Sequence, residues 1–407
     1  MALPSRIDPL SWTIFVEHPK PEIDPTEMWD NPSFYPEMRH ILHESVHFWH
    51  SISTFQGIYL AFDCLKSMNA LRFASRKGED LTQIGADWTF EGYKPFQLLS
   101  DFYAKAPDPP LSTSHLFEGL ARYWDVTICA GFTFDGIVSS LIKEDSPTYS
   151  EAYAHAYDTV GNVAFIIFPI FAYLALCSEE PVRCFDTSLK IYADDPFEVP
   201  VGMNFQEAWL IAWGNAAKWG RFYPVPYGPM SCYKTAHKRY VKWKMQYAGL
   251  VPEDFPLTGH PILEDSVQMM MSLAKHKWPD KSEYDLEVMF LEEFVFPGNP
   301  FFRQRLLLGF HPPVIHFSDG GYWVSPTQGF KEKPDFFAKS MADFSMIMGA
   351  ANGLLARAKG KPTKHGCPHA ECPVHPLGLC SFVPDYPAAH EDCYVKPLIK
   401  HEFGIAL

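Results

Sequence analysis

The chain has 407 residues, and 48 acidic against 34 basic side chains give it a formal net charge of −14. This acidic balance argues against sequence-independent binding to nucleic-acid phosphates or to an anionic membrane surface, because both need clustered positive charge. An apolar fraction of 47%, with 33 Phe, 19 Tyr and 11 Trp, supplies enough side-chain area for a large core and excludes the disordered and fibrous classes.

Three features bear on the compartment. Residues 1–20 have no basic start followed by an apolar run, so we expect no secretory signal. The longest apolar run, residues 160–177, contains Pro169 and has acidic flanks, which favours a buried helix over a membrane span. The nine cysteines are odd in number, so metal ligands or free thiols are expected before disulfides. The predicted location is the cytoplasm.

Apolar residues recur every three or four positions over most of the chain, which predicts a mainly α fold. Strand patterns are few: residues 11–17, and residues 314–317 with 322–325 as a hairpin. From residue 360 the composition shifts to Pro, Cys and His, so we divide the chain into a helical domain, 1–359, and a C-terminal module, 360–407. The predicted helices cover about residues 36–55, 57–77, 115–131, 149–177, 204–219, 232–248, 262–276, 284–296 and 333–358.

The segment 39–51, RHILHESVHFWHS, is the most informative stretch of the sequence. On a helix, residues four apart project from the same face, so His43 and His47 can place two imidazole nitrogens on one metal ion. Glu44 lies beside them, within reach of a metal-bound water, which makes the segment an HExxH signature with Glu44 as the candidate catalytic base. Within the predicted fold, this is one of two active-site helices.

His40 and His50 extend the row of histidines on the same helix, and both are candidate site-lining residues. The rest of the helix carries mostly apolar side chains, so four imidazoles there need polar partners. That need favours a metal site. The alternative is a solvated polar face, or core histidines that are hydrogen-bonded one by one.

A second segment, residues 117–125 with the sequence FEGLARYWD, resembles the second active-site helix of the gluzincin metallopeptidases. In that family the third metal ligand comes from an Asn-Glu-Gly-Phe-Ala motif, and an acidic residue follows seven positions after the glutamate. Glu118, Gly119, Ala121 and Asp125 match this pattern, whereas Phe117 stands where the family often has Asn and a Leu replaces the Phe. The resemblance implies that Glu118 is the third ligand and that Asp125 orients a ligating histidine.

The resemblance covers about twenty residues, and the rest of the chain departs from the family. Familiar gluzincins have a sheet before the HExxH helix whose edge strand pairs with a peptide substrate, whereas only one strand is predicted before residue 36. The gap between His47 and Glu118 is also longer than in the commonest members. These departures bear on the peptidase interpretation and leave the metal site unaffected.

Two His and one Glu with open coordination positions suit a catalytic Zn²⁺ that activates water for attack on a carbonyl. The same set is the facial triad of Fe²⁺ oxygenases, so ligand type does not separate the two. We favour a zinc metallohydrolase acting on a peptide or amide bond of a narrow substrate. The alternative is a non-haem iron oxygenase acting on a small molecule or modified peptide, and a third hypothesis is a non-catalytic helical scaffold that stores metal.

A dinuclear iron site would need a second Glu-x-x-His pair beside Glu44 and His47. Glu151 and His155 approach this spacing with one residue too many, so they are predicted only as site-lining residues. The basic segment 234–244 is interpreted as a solvated helix face. We therefore expect a peptide or small-molecule substrate, and no nucleic-acid or membrane partner.

The C-terminal module concentrates thiols and imidazoles in a short span. A tetrahedral structural Zn²⁺ would compensate for the poor core of this Pro-rich segment. The spacing is not that of a standard zinc finger, so free thiols remain an equal alternative. The candidate ligands are Cys367, His369, Cys372, His375 and Cys380.

Overall fold

The structure of this chain is a computed structural model. It describes residues 6–7, 14–16, 18–22, 35–79, 89–90, 92–95, 97–129, 141, 147–200, 205–219, 221, 229–246, 275, 279–282, 314–317 and 321–324. The predicted helices at 262–276, 284–296 and 333–358 and the whole module 360–407 lie outside the described residues.

The predicted mainly α fold is confirmed within this part of the chain. Helices α1 and α2 are joined at Thr54, and α5 and α6 by a single 3₁₀ turn, Gly161–Val163. The helices are α1 (Tyr35–Ser53), α2 (Phe55–Arg76), α3 (Gln97–Tyr103), α4 (Thr113–Cys129), α5 (Pro147–Val160), α6 (Ala164–Leu176), α7 (Pro181–Asp194), α8 (Phe205–Trp219) and α9 (Pro229–Gln246).

Three elements differ from the prediction. The helix predicted over 149–177 is two helices, because Gly161 adopts a left-handed φ of 67° that a regular helix cannot continue. Helices α3 and α7 were not predicted. For α7 a usable signal exists: Pro181 stands in its first turn, and Phe185 and Leu189 recur on its buried face.

A small sheet with strand order β1-β2-β3-β4 packs on one side of α1. Its strands are β1 (Arg6–Ile7), β2 (Ile14–Val16), β3 (Val314–Phe317) and β4 (Tyr322–Val324). The predicted hairpin is confirmed as the antiparallel β3–β4 pair, and β2 pairs in parallel with β3, with Ile14 opposite Ile315. Ile41 of α1 is buried against these strands, which anchors the helix of the HExxH segment to the sheet.

The core centres on α2, which is buried on nearly all sides from Phe55 to Ala74. Helix α2 lies very close to the end of α1, because a Cβ at Gly57 would stand 2.4 Å from Cα of Ser51 and 2.8 Å from the carbonyl oxygen of His50. In the same way, Gly119 of α4 lets α5 approach closely, since a Cβ at Gly119 would lie 3.3 Å from the Cβ of Ala152. Gly57 thus sets the distance between α1 and α2, and Gly119 sets the distance between α4 and α5.

The apolar run predicted as a buried helix is confirmed as α6, which contains Pro169 and is buried from Ala164 to Leu176. The stretch Pro147–Leu176 is also long and apolar enough to cross a membrane by length and composition, with a mean hydropathy of 2.0 over its most apolar window. Of that window, 67% is buried inside the protein. Core helices pass the same test, so the expectation of no membrane partner stays a prediction.

We predict that Gly57→Ala destabilises the fold by about 1–3 kcal/mol, because the added methyl group meets backbone atoms that cannot move away. Chemical denaturation monitored by circular dichroism measures this change. The matched control is Gly214→Ala in α8, where nothing lies within 4 Å of the added atom. There the gain in helix propensity should stabilise the protein by about 0.5–1 kcal/mol. Equal stabilisation by both substitutions would contradict the close approach of α1 and α2.

Candidate metal centre

Helix α1 presents two histidines from one face. His43 and His47 are one turn apart, and their ring centroids lie 4.7 Å from each other with nearly perpendicular planes. Leu42, Val46 and Trp49 cover other sides of the helix and are buried in the core. Burial of these neighbours fixes the position of the helix, and the two imidazoles are themselves buried, so their orientation is restricted.

Helix α4 brings a carboxylate to the same point. Oε2 of Glu118 lies 3.2 Å from Nε2 of His43 and 3.1 Å from Nε2 of His47, and the two nitrogens are 3.1 Å apart. Metal–ligand distances of about 2.0–2.1 Å place neighbouring ligand atoms about 3.3 Å apart in a tetrahedral site and about 2.9 Å apart in an octahedral one. The nearly equilateral triangle therefore fits either geometry, and this group could hold a metal ion.

The tautomer of His43 follows from its second contact. Nδ1 of His43 lies 2.9 Å from Oδ2 of Asp125, and an ionised carboxylate only accepts hydrogen bonds, so Nδ1 carries the proton and donates it. In a neutral ring, Nε2 is then left with its lone pair directed toward Glu118. This is the tautomer that a metal ligand needs.

The electrostatics of the triangle are those of a cation site. Burial opposes charge on His43, but its hydrogen bonds to Asp125 and Glu118 outweigh burial and raise its pKa well above the usual value. Burial would raise the pKa of Glu118, but the charges and hydrogen bonds of His47 and His43 outweigh it and lower that pKa strongly. A proton on His43 and a metal ion thus satisfy the same carboxylate, and metal binding would release the proton.

Asp125 is the centre of a buried network. Besides His43 it accepts hydrogen bonds from Nε of Arg39 at 2.9 Å and from Nη1 of Arg122 at 3.0 Å, both on Oδ1. Its two oxygens therefore have separate tasks, since Oδ2 holds the imidazole and Oδ1 holds two guanidinium groups. The contact with His43 is the one that the gluzincin resemblance implied for Asp125.

Glu44 is buried on α1 directly after His43. Its negative charge helps to raise the pKa of His43, so the two groups are close enough to interact. Its role as catalytic base stays a prediction.

The other histidines of α1 lie away from the triangle. His40 is exposed and faces His18, with ring centroids 5.0 Å apart; burial and then the charge of His18 lower its pKa. His50 is fully buried between the rings of Phe117 and Tyr173, each 5.9 Å away. Burial, followed by the charges of His47 and His43, lowers its pKa well below the usual value.

The two site-lining candidates of α5 have other partners. Glu151 accepts a hydrogen bond from Nζ of Lys105 at 2.7 Å, and its Oε2 lies 3.0 Å from Nε2 of His115. Nε2 of His155 lies 3.1 Å from Oδ1 of Asp186. Among the described residues, neither joins the group that could hold a metal, so the structure does not bring a second Glu and His pair to the triangle.

Aromatic residues that sequence analysis missed surround the triangle. The ring of Tyr149 meets that of His43 edge-on at 5.6 Å, and Phe117 lies parallel to His47 at the same distance. Tyr103, at the end of α3, is 62% exposed, yet partial burial of its phenol and then the charge of Glu118 raise its pKa to about 12. Tyr103 is therefore an exposed side chain close enough to Glu118 to feel its charge. The position of Phe117 next to Glu118 in the motif was the one usable signal.

Comparison with known proteins adds no assignment: no protein-family model, no curated protein and no solved structure matches the chain. The gluzincin resemblance therefore stays a hypothesis based on two short segments. The candidate ligands of the C-terminal module, from Cys367 to Cys380, lie outside the described residues.

We predict that His47→Ala lowers the bound metal well below one ion per chain, because it removes one of three converging ligand atoms. Elemental analysis of protein purified without added metal measures this, and His43→Ala should behave in the same way. His237→Ala, an exposed position on α9, is the control and should retain the parent's metal. Full occupancy in both ligand variants would rule the site out.

Asp125→Asn should weaken metal affinity by about 10–100-fold, because an amide cannot hold the Nδ1 proton of His43 and both guanidiniums as the carboxylate does. Competition with a chromophoric chelator measures the affinity. Asp186→Asn is a matched control, since Asp186 also joins a histidine and a cation, His155 and Lys190. An unchanged affinity in Asp125→Asn would mean that the contact with His43 does not orient a ligand.

Proposed function

We propose that this chain is a metal-dependent enzyme with a centre formed by His43, His47 and Glu118. The activity we propose is that of a zinc metallohydrolase acting on a peptide or amide bond of a narrow substrate. The observation that carries the proposal is the triangle of three ligand atoms 3.1–3.2 Å apart, with a buried carboxylate, Glu44, directly beside it.

When bound by three protein ligands with an open position, Zn²⁺ lowers the pKa of a bound water and polarises a substrate carbonyl. The chain's own part is to hold and move protons around that position. Glu44 takes up the proton of the attacking water and passes it to the leaving amine, as a general base and then a general acid. Asp125 keeps the proton of His43 on Nδ1, so that Nε2 stays free for the ion.

Access to the centre is from the side of Glu118. The side chain of Glu118 is 29% exposed, whereas those of His43 and His47 are 11% and 6% exposed. Tyr103 lies on this open side, and Tyr149 covers the ring of His43. An aromatic rim over a partly open ligand favours a substrate with an apolar group next to the scissile bond.

A storage scaffold is less well supported. Binding a metal ion for storage needs ligands but no additional buried acid, and Glu44 is only 6% exposed. A role in proton transfer gives this carboxylate a task beside the centre.

A mononuclear iron oxygenase is the second candidate. Its support is the triangle itself, because three mutually adjacent ligand atoms leave one open face of three positions on an octahedral Fe²⁺. The dinuclear form has less support, since Glu151 and His155 have other partners. Hydrolysis is preferred because Glu44 has a clear task in it and because the Glu118 and Asp125 pattern resembles that of hydrolases.

Glu44→Gln separates the two candidates. In a zinc hydrolase the substitution should lower turnover by about 10²–10⁴-fold while the metal stays bound, because one positioned base is lost and no ligand is removed. Turnover is measured on peptide and amide libraries, with metal content quantified in the same samples. Glu198→Gln, an exposed position after α7, is the control and should match the parent. Activity of the parent that requires both O₂ and Fe²⁺ would refute the hydrolase proposal.

A further inference from the structure

The two metal-binding histidines differ in what holds their second ring nitrogen. Nδ1 of His43 is bound by Asp125 at 2.9 Å. Nδ1 of His47 is buried and has no hydrogen-bond partner among the described residues. Metal-ligating histidines nearly always donate this second N–H to a polar group, and leaving it unpaired in the core costs free energy. One ligand of the centre therefore lacks an orienting partner.

His50 has the same deficit close by. It is fully buried, and neither Nδ1 nor Nε2 has a partner among the described residues. His50 follows His47 by three positions on α1, and both imidazoles contact the ring of Phe117, His47 in parallel and His50 edge-on. Three buried ring nitrogens thus lie unpaired in one region of the core, all on the side of Phe117.

We propose that His50 is a positioning residue for His47, acting through one buried water molecule that accepts the Nδ1 proton of His47 and donates to a ring nitrogen of His50. This inference rests on the proposed metal centre. The two rings do not bond directly, because Nδ1 of His47 and both nitrogens of His50 have no hydrogen-bond partner among the described residues. A single water satisfies at least two of the three nitrogens, as buried waters do in polar pockets.

The arrangement gives the centre two different supports. His43 is fixed by a charged carboxylate, and His47 is fixed by a neutral water and imidazole pair. A neutral imidazole offers one N–H and one lone pair, so it can accept from the water and donate elsewhere. Phe117 and Tyr173 close around His50 and limit its rotation. His50 is then a functional member of the histidine row without contacting the metal.

A pair of nearly equal-sized substitutions tests this. His50→Gln keeps a donor and an acceptor, and His50→Met removes both. Metal-free protein is titrated with Co²⁺, followed by its visible absorption, and Zn²⁺ affinity is measured by competition. His50→Gln should bind within about threefold of the parent and His50→Met about 10–100-fold more weakly, with an altered Co²⁺ spectrum. Tyr153→Phe is the control, because the Tyr153 hydroxyl is another buried polar group without a hydrogen-bond partner among the described residues. It should leave affinity and spectrum unchanged.

The outcomes separate this inference from the metal centre itself. Parent-like affinity and spectrum in His50→Met would overturn the inference alone, as would His50→Gln binding as weakly as His50→Met. Failure of the parent to bind Co²⁺, or binding that survives His47→Ala, would overturn both. If His50→Met does not fold, a high-resolution crystal structure of the parent decides. An ordered water between His47 and His50 supports the inference, and a dry contact refutes it.

Discussion

The hydrogen bond between His43 and Asp125 is the interaction on which the centre depends. It joins α1 to α4, two helices far apart in sequence, and it sets the tautomer of a ligand. Arg39 and Arg122 share the carboxylate of Asp125, while the charges of Asp125 and Glu44 act on His43 and raise its pKa. The negative groups around His43 thus favour a proton or a metal ion at this point.

Close helix packing makes this network possible. Gly57 allows α2 to lie against the end of α1, and Gly119 allows α5 to lie against α4 next to Glu118. The second approach also carries Tyr149 over the ring of His43. Gly119 thus sets the distance between the helix that supplies Glu118 and the helix that covers His43, and Gly57 sets the distance between the histidine-bearing helix and α2.

The sequence predicted the parts of the centre that are local. His43 and His47 follow from spacing on one helix, and Glu118 with Asp125 follows from a short motif. The four histidines lie on one helix, but two turns separate His43 from His50 by about 10 Å, so His50 meets Phe117 and Tyr173 and not the triangle of ligand atoms. Spacing gives a face of a helix and does not give what packs on it.

What the sequence could not give depends on contacts between distant segments. The parallel pairing of Ile14 with Ile315 joins strands at opposite ends of the chain, and no local pattern specifies that register. The same holds for the position of Tyr103 near Glu118, because α3 is short and its apolar pattern is weak. Arg39 was not singled out either, since an arginine before an HExxH segment has no characteristic spacing to a carboxylate on another helix.

The network around Asp125 bears on the chemistry of the centre. A carboxylate that accepts the Nδ1 proton of a ligating histidine raises the basicity of that ligand and makes the metal a weaker Lewis acid. Here Arg39 and Arg122 bind the same carboxylate and draw its charge toward themselves. His43 is then oriented without the full increase in basicity, and under our proposal His47 receives only a neutral partner. Both effects leave a bound ion more electrophilic, which is what the attack of water on a carbonyl requires. The hydrogen bonds behind the ligands thus fit the hydrolysis that we propose.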